Sequence, residues 1–95
     1  MNSREAVLRV KNARLLAVMK VETRKWYASS LAKETGMSCV YASRMLQVFA
    51  SEGLVELRRE GKTRRAVLTE NGLKVASALD EILSRLPRQE ERKQA

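Results

Sequence analysis

Arg44 and Gln47 stand three residues apart in the segment SCVYASRMLQVFASE, residues 38 to 52. Ala42, Met45, Leu46 and Phe49 recur in it at spacings of three and four, which predicts a helix with one core-facing stripe. The other face carries Cys39, Tyr41, Ser43, Arg44 and Gln47. Those side chains suit the hydrogen-bonding edges of nucleobases. A guanidinium donates two bonds to the O6/N7 edge of guanine, and a carboxamide pairs in bidentate fashion with adenine. The hydroxyls of Tyr41 and Ser43 can reach phosphate or a base edge. At Ser38 the helix start offers backbone N–H groups to a phosphate. Val40 suits either a thymine methyl or partial burial in the core.

A second constellation follows at residues 58 to 65, RREGKTRR. Five of the eight are Lys or Arg and one is Glu, a net +4 within a chain of net charge +8. A turn here would carry its cations clear of the core. They then act as a phosphate clamp or minor-groove probe. A charged turn that only guards a strand edge needs one or two lysines, and this one has more. Arg59, Lys62, Thr63, Arg64 and Arg65 are the candidates for contact. Lys20, Arg24 and Lys25 form another basic cluster, which either flanks the same surface or is simply solvated.

Composition narrows the alternatives. Ninety-five residues make one domain with a small core. The basic excess, with a sequence pI near 10.3, points to a polyanionic partner, nucleic acid first. There is no histidine and one cysteine, Cys39. A histidine base, an intrachain disulfide and a zinc site are therefore excluded. No catalytic pair or cofactor motif is visible, so no enzyme, metal or cofactor is expected. Cys39 reads as an inert thiol; a redox role would rest only on its place at a helix N-terminus. The longest apolar run, Leu15 to Met19, cannot span a bilayer. The N-terminus lacks an h-region. The expectation is a cytoplasmic protein with no membrane partner.

The elements that must hold these residues are legible in outline. Asn2 or Ser3 caps a first helix reaching about Val21, apolar over more than one stripe. Such a helix needs two surfaces to pack against. Trp26 and Tyr27 form a short extended segment able to pair with the later hairpin, with Trp26 in the core. Ser29 or Ser30 caps the next helix, Glu34 reaches back from near its end, and Gly36 closes it in a left-handed conformation. Ser38 caps the helix to Glu52, and Gly53 ends it. Leu54 to Arg59 alternate as a strand, with Val55 and Leu57 on one face and Glu56 and Arg58 on the other. Glu60 to Thr63 turn and Arg64 to Leu68 return. Thr69 caps a last helix to about Leu86, which Pro87 stops. The domain covers 1–87, and 88–95 is a charged tail expected to be disordered.

The stretch ASSLAKETGMSCVYASRMLQVFASEGLVEL resembles the winged helix-turn-helix family. The matching elements are LA-x-x-x-G-M-S and S-R-x-L followed by G-L-V-E. LTENGLKVASAL after the hairpin is similar to the multidrug-resistance (MarR) and PadR branches. The likeness covers roughly residues 13 to 86. It implies a mainly α fold with a small β-hairpin, in the order helix, short extended segment, helix, helix, strand, wing, strand, helix. It also implies a recognition helix, 38–52, in the major groove of double-stranded DNA.

Val75, Leu79, Ile82 and Leu86 are spaced by 4, 3 and 4 residues, the seam of paired helices. Leu73, Ala76 and Leu83 form an adjacent stripe; one stripe can pack on the domain, and Leu83, beyond Leu79, is expected with the seam at the dimer interface. With Val7 and Val10 of the first helix, the seam predicts a homodimer, which would set two recognition helices about 34 Å apart on a near-palindrome. The reading is a sequence-specific transcriptional regulator. Two alternatives compete: a winged-helix module for RNA or protein bridging, and a nonspecific DNA-packaging protein. The first would dispense with the polar helix face or basic wing, the second with Arg44 and Gln47. No small-molecule effector is evident, since ligand-responsive relatives use more helix at both ends.

Overall fold

Arg9 interrupts what the sequence reads as one first helix. The computed structural model describes residues 3–21 and 23–86. In it α1 spans Ser3–Leu8 and α2 spans Val10–Val18, with Arg9 extended between them at φ −67°, ψ 135°. The break answers the excess of apolar surface. It lets α1 and α2 turn different stripes inward, so that Ala6, Ala13, Leu15, Leu16 and Met19 all enter one core. It also strands carbonyls in the last turn of α1. Asn12, fully buried, donates from Nδ2 to one of them, Ala6 O, at 2.7 Å.

The first-helix cap at Asn2, the stop at Pro87 and the 88–95 tail lie outside the described residues. Trp26 is buried as expected and pairs with the hairpin: its carbonyl accepts from Ala66 N at 2.8 Å in an antiparallel bridge.

Helix α3, Ala28–Thr35, begins one or two residues before the expected cap. Ser30 lies in its first turn, where Oγ accepts from Tyr27 N at 2.9 Å and donates to Tyr27 O at 3.1 Å. Glu34 does not reach back; it binds Arg24 at 2.8 Å. Gly36, at φ 71°, turns the chain into α4, Cys39–Ser51, as read from the sequence. The stripe Ala42, Met45, Leu46 and Phe49 is buried.

Strands β1, Val55–Glu60, and β2, Thr63–Leu68, form an antiparallel pair in unbroken register from Val55↔Leu68 to Glu60↔Thr63. The ladder runs further towards the tip than expected, leaving Gly61 and Lys62 as the turn. Helix α5, Glu70–Arg85, then packs along α2. Thr69 joins the hairpin base to α5: its Oγ1 accepts from Gly72 N at 2.9 Å and donates to Gly53 O at 2.6 Å. There the backbones touch, because a Cβ on Gly72 would overlap the carbonyl of Leu54.

The stripe of α5 facing the core differs from the expected one. Gly72, Ala76 and Leu79 are buried, and Leu83 packs against the same cluster. Leu79 is 6% exposed and belongs to the core, so it does not lie on a free seam. Val7, Val75 and Leu83, expected at the dimer interface, also pack partly on the core, whereas Leu73 faces out. The cause is the Gly72 contact: with the first turn of α5 fixed on Leu54, the inward positions must follow 72, 76, 79 and 83. Ile82, Leu86 and Val10 remain exposed.

Candidate nucleic-acid interface

Helix α4 starts where Ser38 can cap it: Ser38 Oγ accepts from Tyr41 N at 3.1 Å. Its side chain serves the helix end, while Cys39, Ser43, Arg44 and Gln47 project from the exposed face. Val40 is 67% exposed, which removes core burial as its role. Arg44 carries no ion pair among the described residues, neither with Glu52 nor with a wing carboxylate. Tyr41 is placed differently from its neighbours. It is half-buried, its hydroxyl donates to Asn12 Oδ1 at 2.7 Å, and the Lys11 ammonium stands 5.1 Å from its ring.

The strand register sorts the wing cations, which the sequence could not do. Paired residues share a face, so Val55, Leu57 and Arg59 of β1 lie with Leu68, Ala66 and Arg64 of β2. The other face holds Glu56, Arg58, Glu60, Val67, Arg65 and Thr63. Both hairpin carboxylates are on that second face, and both of its arginines use them. Arg58 Nε stands 3.2 Å from Glu56, and Arg65 Nη1 stands 3.7 Å from Glu60. Arg59 and Arg64 are directly opposed on the face that continues the core, exposed, and without an ion pair among the described residues. Like charges so placed repel, and an anion between them relieves the repulsion. Lys62 at the turn is exposed as well.

The two constellations meet. A groove of about 300 Å³ runs between α4 and the hairpin. Cys39, Ser43 and Gln47 line it from one side, Thr63 and Arg64 from the other, and Leu46 and Leu57 lie in its lining. The third basic cluster does not join them as free charge. Lys20 is paired with Asp80 at 3.2 Å, Arg24 lies on the Trp26 ring and on Glu34, and Lys25 stands 3.9 Å from Glu60.

Two residues at this site, Tyr27 and Glu60, are placed by the sequence in the extended segment and the hairpin turn, but their contact with each other has no signal there. Tyr27 donates its hydroxyl to Glu60 Oε2 at 2.9 Å, across 33 residues of chain. That bond, followed by partial burial and the Glu60 charge, holds the phenol above its ordinary range. Among the described residues no three His, Cys, Asp or Glu side chains gather as a metal site, and no helix is long and apolar enough to cross a membrane.

A helix, a glycine turn, a second helix with an exposed polar face and a basic hairpin beside it define the architecture. The fold is a winged helix. It is similar to that of AF1382 from Archaeoglobus fulgidus, with a TM-score of 0.76 and 20% identity over 93% of this chain and 100% of that one. It is also similar to the homodimeric winged helix-turn-helix DNA-binding domain of Mb0332 from Mycobacterium bovis, described as a possible ArsR-family regulator. There the TM-score is 0.69 at 23% identity, over 90% of this chain and 79% of that one. The MarR-family transcriptional regulator SPO1453 from Silicibacter pomeroyi gives 0.69 at 27% identity, covering 85% of this chain and 58% of that one. No protein-family profile and no curated protein sequence matches the chain. Of these winged-helix neighbours, SPO1453 is described as a MarR-family regulator and Mb0332 as a possible ArsR-family one, and the likeness to them is one of fold.

Proposed function

We propose that this winged-helix protein is a sequence-specific regulator of transcription that binds double-stranded DNA as a homodimer. The observation that carries the reading is the Arg59–Arg64 pair: two opposed guanidiniums without a carboxylate partner among the described residues, on a hairpin that shares a groove with the polar face of α4. In this reading α4 enters the major groove. Arg44 and Gln47 read base edges, with Ser43, Cys39 and the α4 N-terminus at Ser38 close to the backbone. Arg59, Lys62 and Arg64 engage phosphate or the adjacent minor groove, with Thr63 at the same tip. Arg65 joins them by exchanging Glu60 for phosphate. Tyr41 acts behind this surface, through Asn12. Binding at an operator changes access of the transcription machinery.

The homodimer is supported by the exposed apolar side chains Ile82, Leu86 and Val10, and by the homodimeric state given for Mb0332. Selection of bound sequences from random duplexes, with a salt titration on the enriched site, tests the reading. It expects a single near-palindromic motif and a steep fall of affinity with salt. Equal binding of every duplex would leave a packaging protein in its place.

A further inference from the structure

The wing carries one residue that a phosphate-facing hairpin would be expected to avoid. Glu60 ends β1 at the tip and lowers the local positive charge. Its carboxylate is nevertheless the most connected group on the hairpin: Oε2 accepts from the Tyr27 hydroxyl at 2.9 Å and stands 3.9 Å from Lys25, while Oε1 stands 3.7 Å from Arg65. The hairpin needs such a tie. Its apolar cover stops at the Leu57↔Ala66 pair, where the Trp26 bridge is also made. Beyond it, Arg58↔Arg65, Arg59↔Arg64 and Glu60↔Thr63 continue as a two-stranded ribbon without apolar pairs, in which Arg65 is half-buried, and a lone ribbon is of marginal stability. Two like-charged cross-strand pairs weaken it further.

The other end of the tie is rigid. Tyr27 precedes α3 directly, its backbone is bonded to Ser30, and its neighbour Trp26 is buried. We propose that the Tyr27–Glu60 hydrogen bond is a positioning latch that fixes the wing against the body of the domain before a ligand arrives. The duplex then meets a wing already set beside α4, and less conformational freedom is lost on binding. The part played on DNA rests on the function proposed above; the latch itself does not. The two ion pairs at Glu60 are long, at 3.9 Å to Lys25 and 3.7 Å to Arg65, and only partly shielded from water, so they add less than the shorter hydrogen bond.

Amide hydrogen exchange on the free protein, followed across residues 58 to 65, tests the latch without DNA. Tyr27→Phe removes only a hydroxyl and should speed exchange there roughly fivefold, the worth of one net hydrogen bond, with α2 and α5 unchanged. Glu60→Gln keeps an acceptor for Tyr27 and should leave the wing protected. Glu60→Ala should match Tyr27→Phe, and the double variant should add nothing further. Unchanged exchange in Tyr27→Phe overturns the latch. So does loosening by Glu60→Gln, which would assign the tie to the ion pairs.

On the selected duplex, Tyr27→Phe should weaken binding roughly fivefold with the salt slope unchanged, because no cation is removed. A loosened wing with unaltered affinity would overturn its part in binding. A wild-type chain that binds no duplex would reject the regulator reading, and the exchange result would still decide the latch.

Discussion

The hydroxyl of Tyr41, on the helix proposed to read DNA, donates at 2.7 Å to Oδ1 of the fully buried Asn12. The same carboxamide donates to Ala6 O. One buried side chain therefore ties together the end of α1, the start of α2 and the first turn of α4. Buried polar groups in such a chain are costly to leave unpaired. Tyr41→Phe should destabilise the domain by about 1–3 kcal/mol, because Asn12 Oδ1 loses its donor. Asn12→Ala should cost more, since Ala6 O and the Tyr41 hydroxyl both lose their partner and a cavity opens. Urea denaturation measures both. Wild-type stability in Tyr41→Phe, with weakened DNA binding, would return Tyr41 to the contact surface.

Gly72 makes a different claim on the backbone from Gly36. A methyl at 72 meets the carbonyl of Leu54, which belongs to the hairpin base and cannot give way cheaply. At Gly36 nothing lies near the added carbon, and the positive φ alone resists it. Gly36→Ala should cost about 1 kcal/mol, the penalty of a left-handed alanine. Gly72→Ala should cost on the order of 3 kcal/mol, as overpacking does when backbone must move. Thermal melts of the two variants rank them, and equal melting points would contradict the close approach.

What the sequence discloses depends on distance along the chain. Helical stripes, glycine stops and the Ser38 and Thr69 caps are local patterns, and Ala42 to Phe49 or Gly36 can be read directly. The break at Arg9 cannot, because it depends on how α1 and α2 share one core, and the bonds of Asn12 to Ala6 and Tyr41 that accompany it follow no local pattern. The inward stripe of α5 is hidden for a similar reason. Heptad spacing leaves residues 75, 79, 82 and 86 equivalent, and only the Gly72–Leu54 contact chooses the rotation. On the wing, composition displays the charge but not the register, so Arg64 and Arg65 look alike in sequence. Tyr27 and Glu60 carry no shared pattern across 33 residues.

Arg44 and the Arg59–Arg64 pair should fail in different ways on DNA. Arg44→Ala removes a bidentate donor and should cost about 1–3 kcal/mol on the selected site, with relaxed preference at one base pair. The Arg59→Ala/Arg64→Ala double variant should weaken binding to every duplex and lower the salt slope by roughly one unit for each phosphate no longer neutralised. The same change should not destabilise the free hairpin, since it relieves two opposed charges. Fluorescence anisotropy over a salt series separates the two. Parallel weakening on selected and random duplexes in Arg44→Ala would remove its base-reading role.

The dimer surface must avoid the core. Leu79 is 6% exposed, so Leu79→Glu buries a carboxylate in the apolar core and should unfold the chain. Ile82 is 51% exposed and Leu86 56%, and neither supports the monomer's own packing. Ile82→Glu/Leu86→Glu should therefore keep the helical circular dichroism of the wild type and halve the mass by light scattering. Loss of the dimer should also make each protomer bind a single half-site, so that affinity for a near-palindrome falls towards that for one arm. The concentration dependence expected of the wild-type melting temperature should vanish in the same variant. An unchanged mass would place the interface elsewhere, with Val10 beside the α1–α2 break the next surface to substitute.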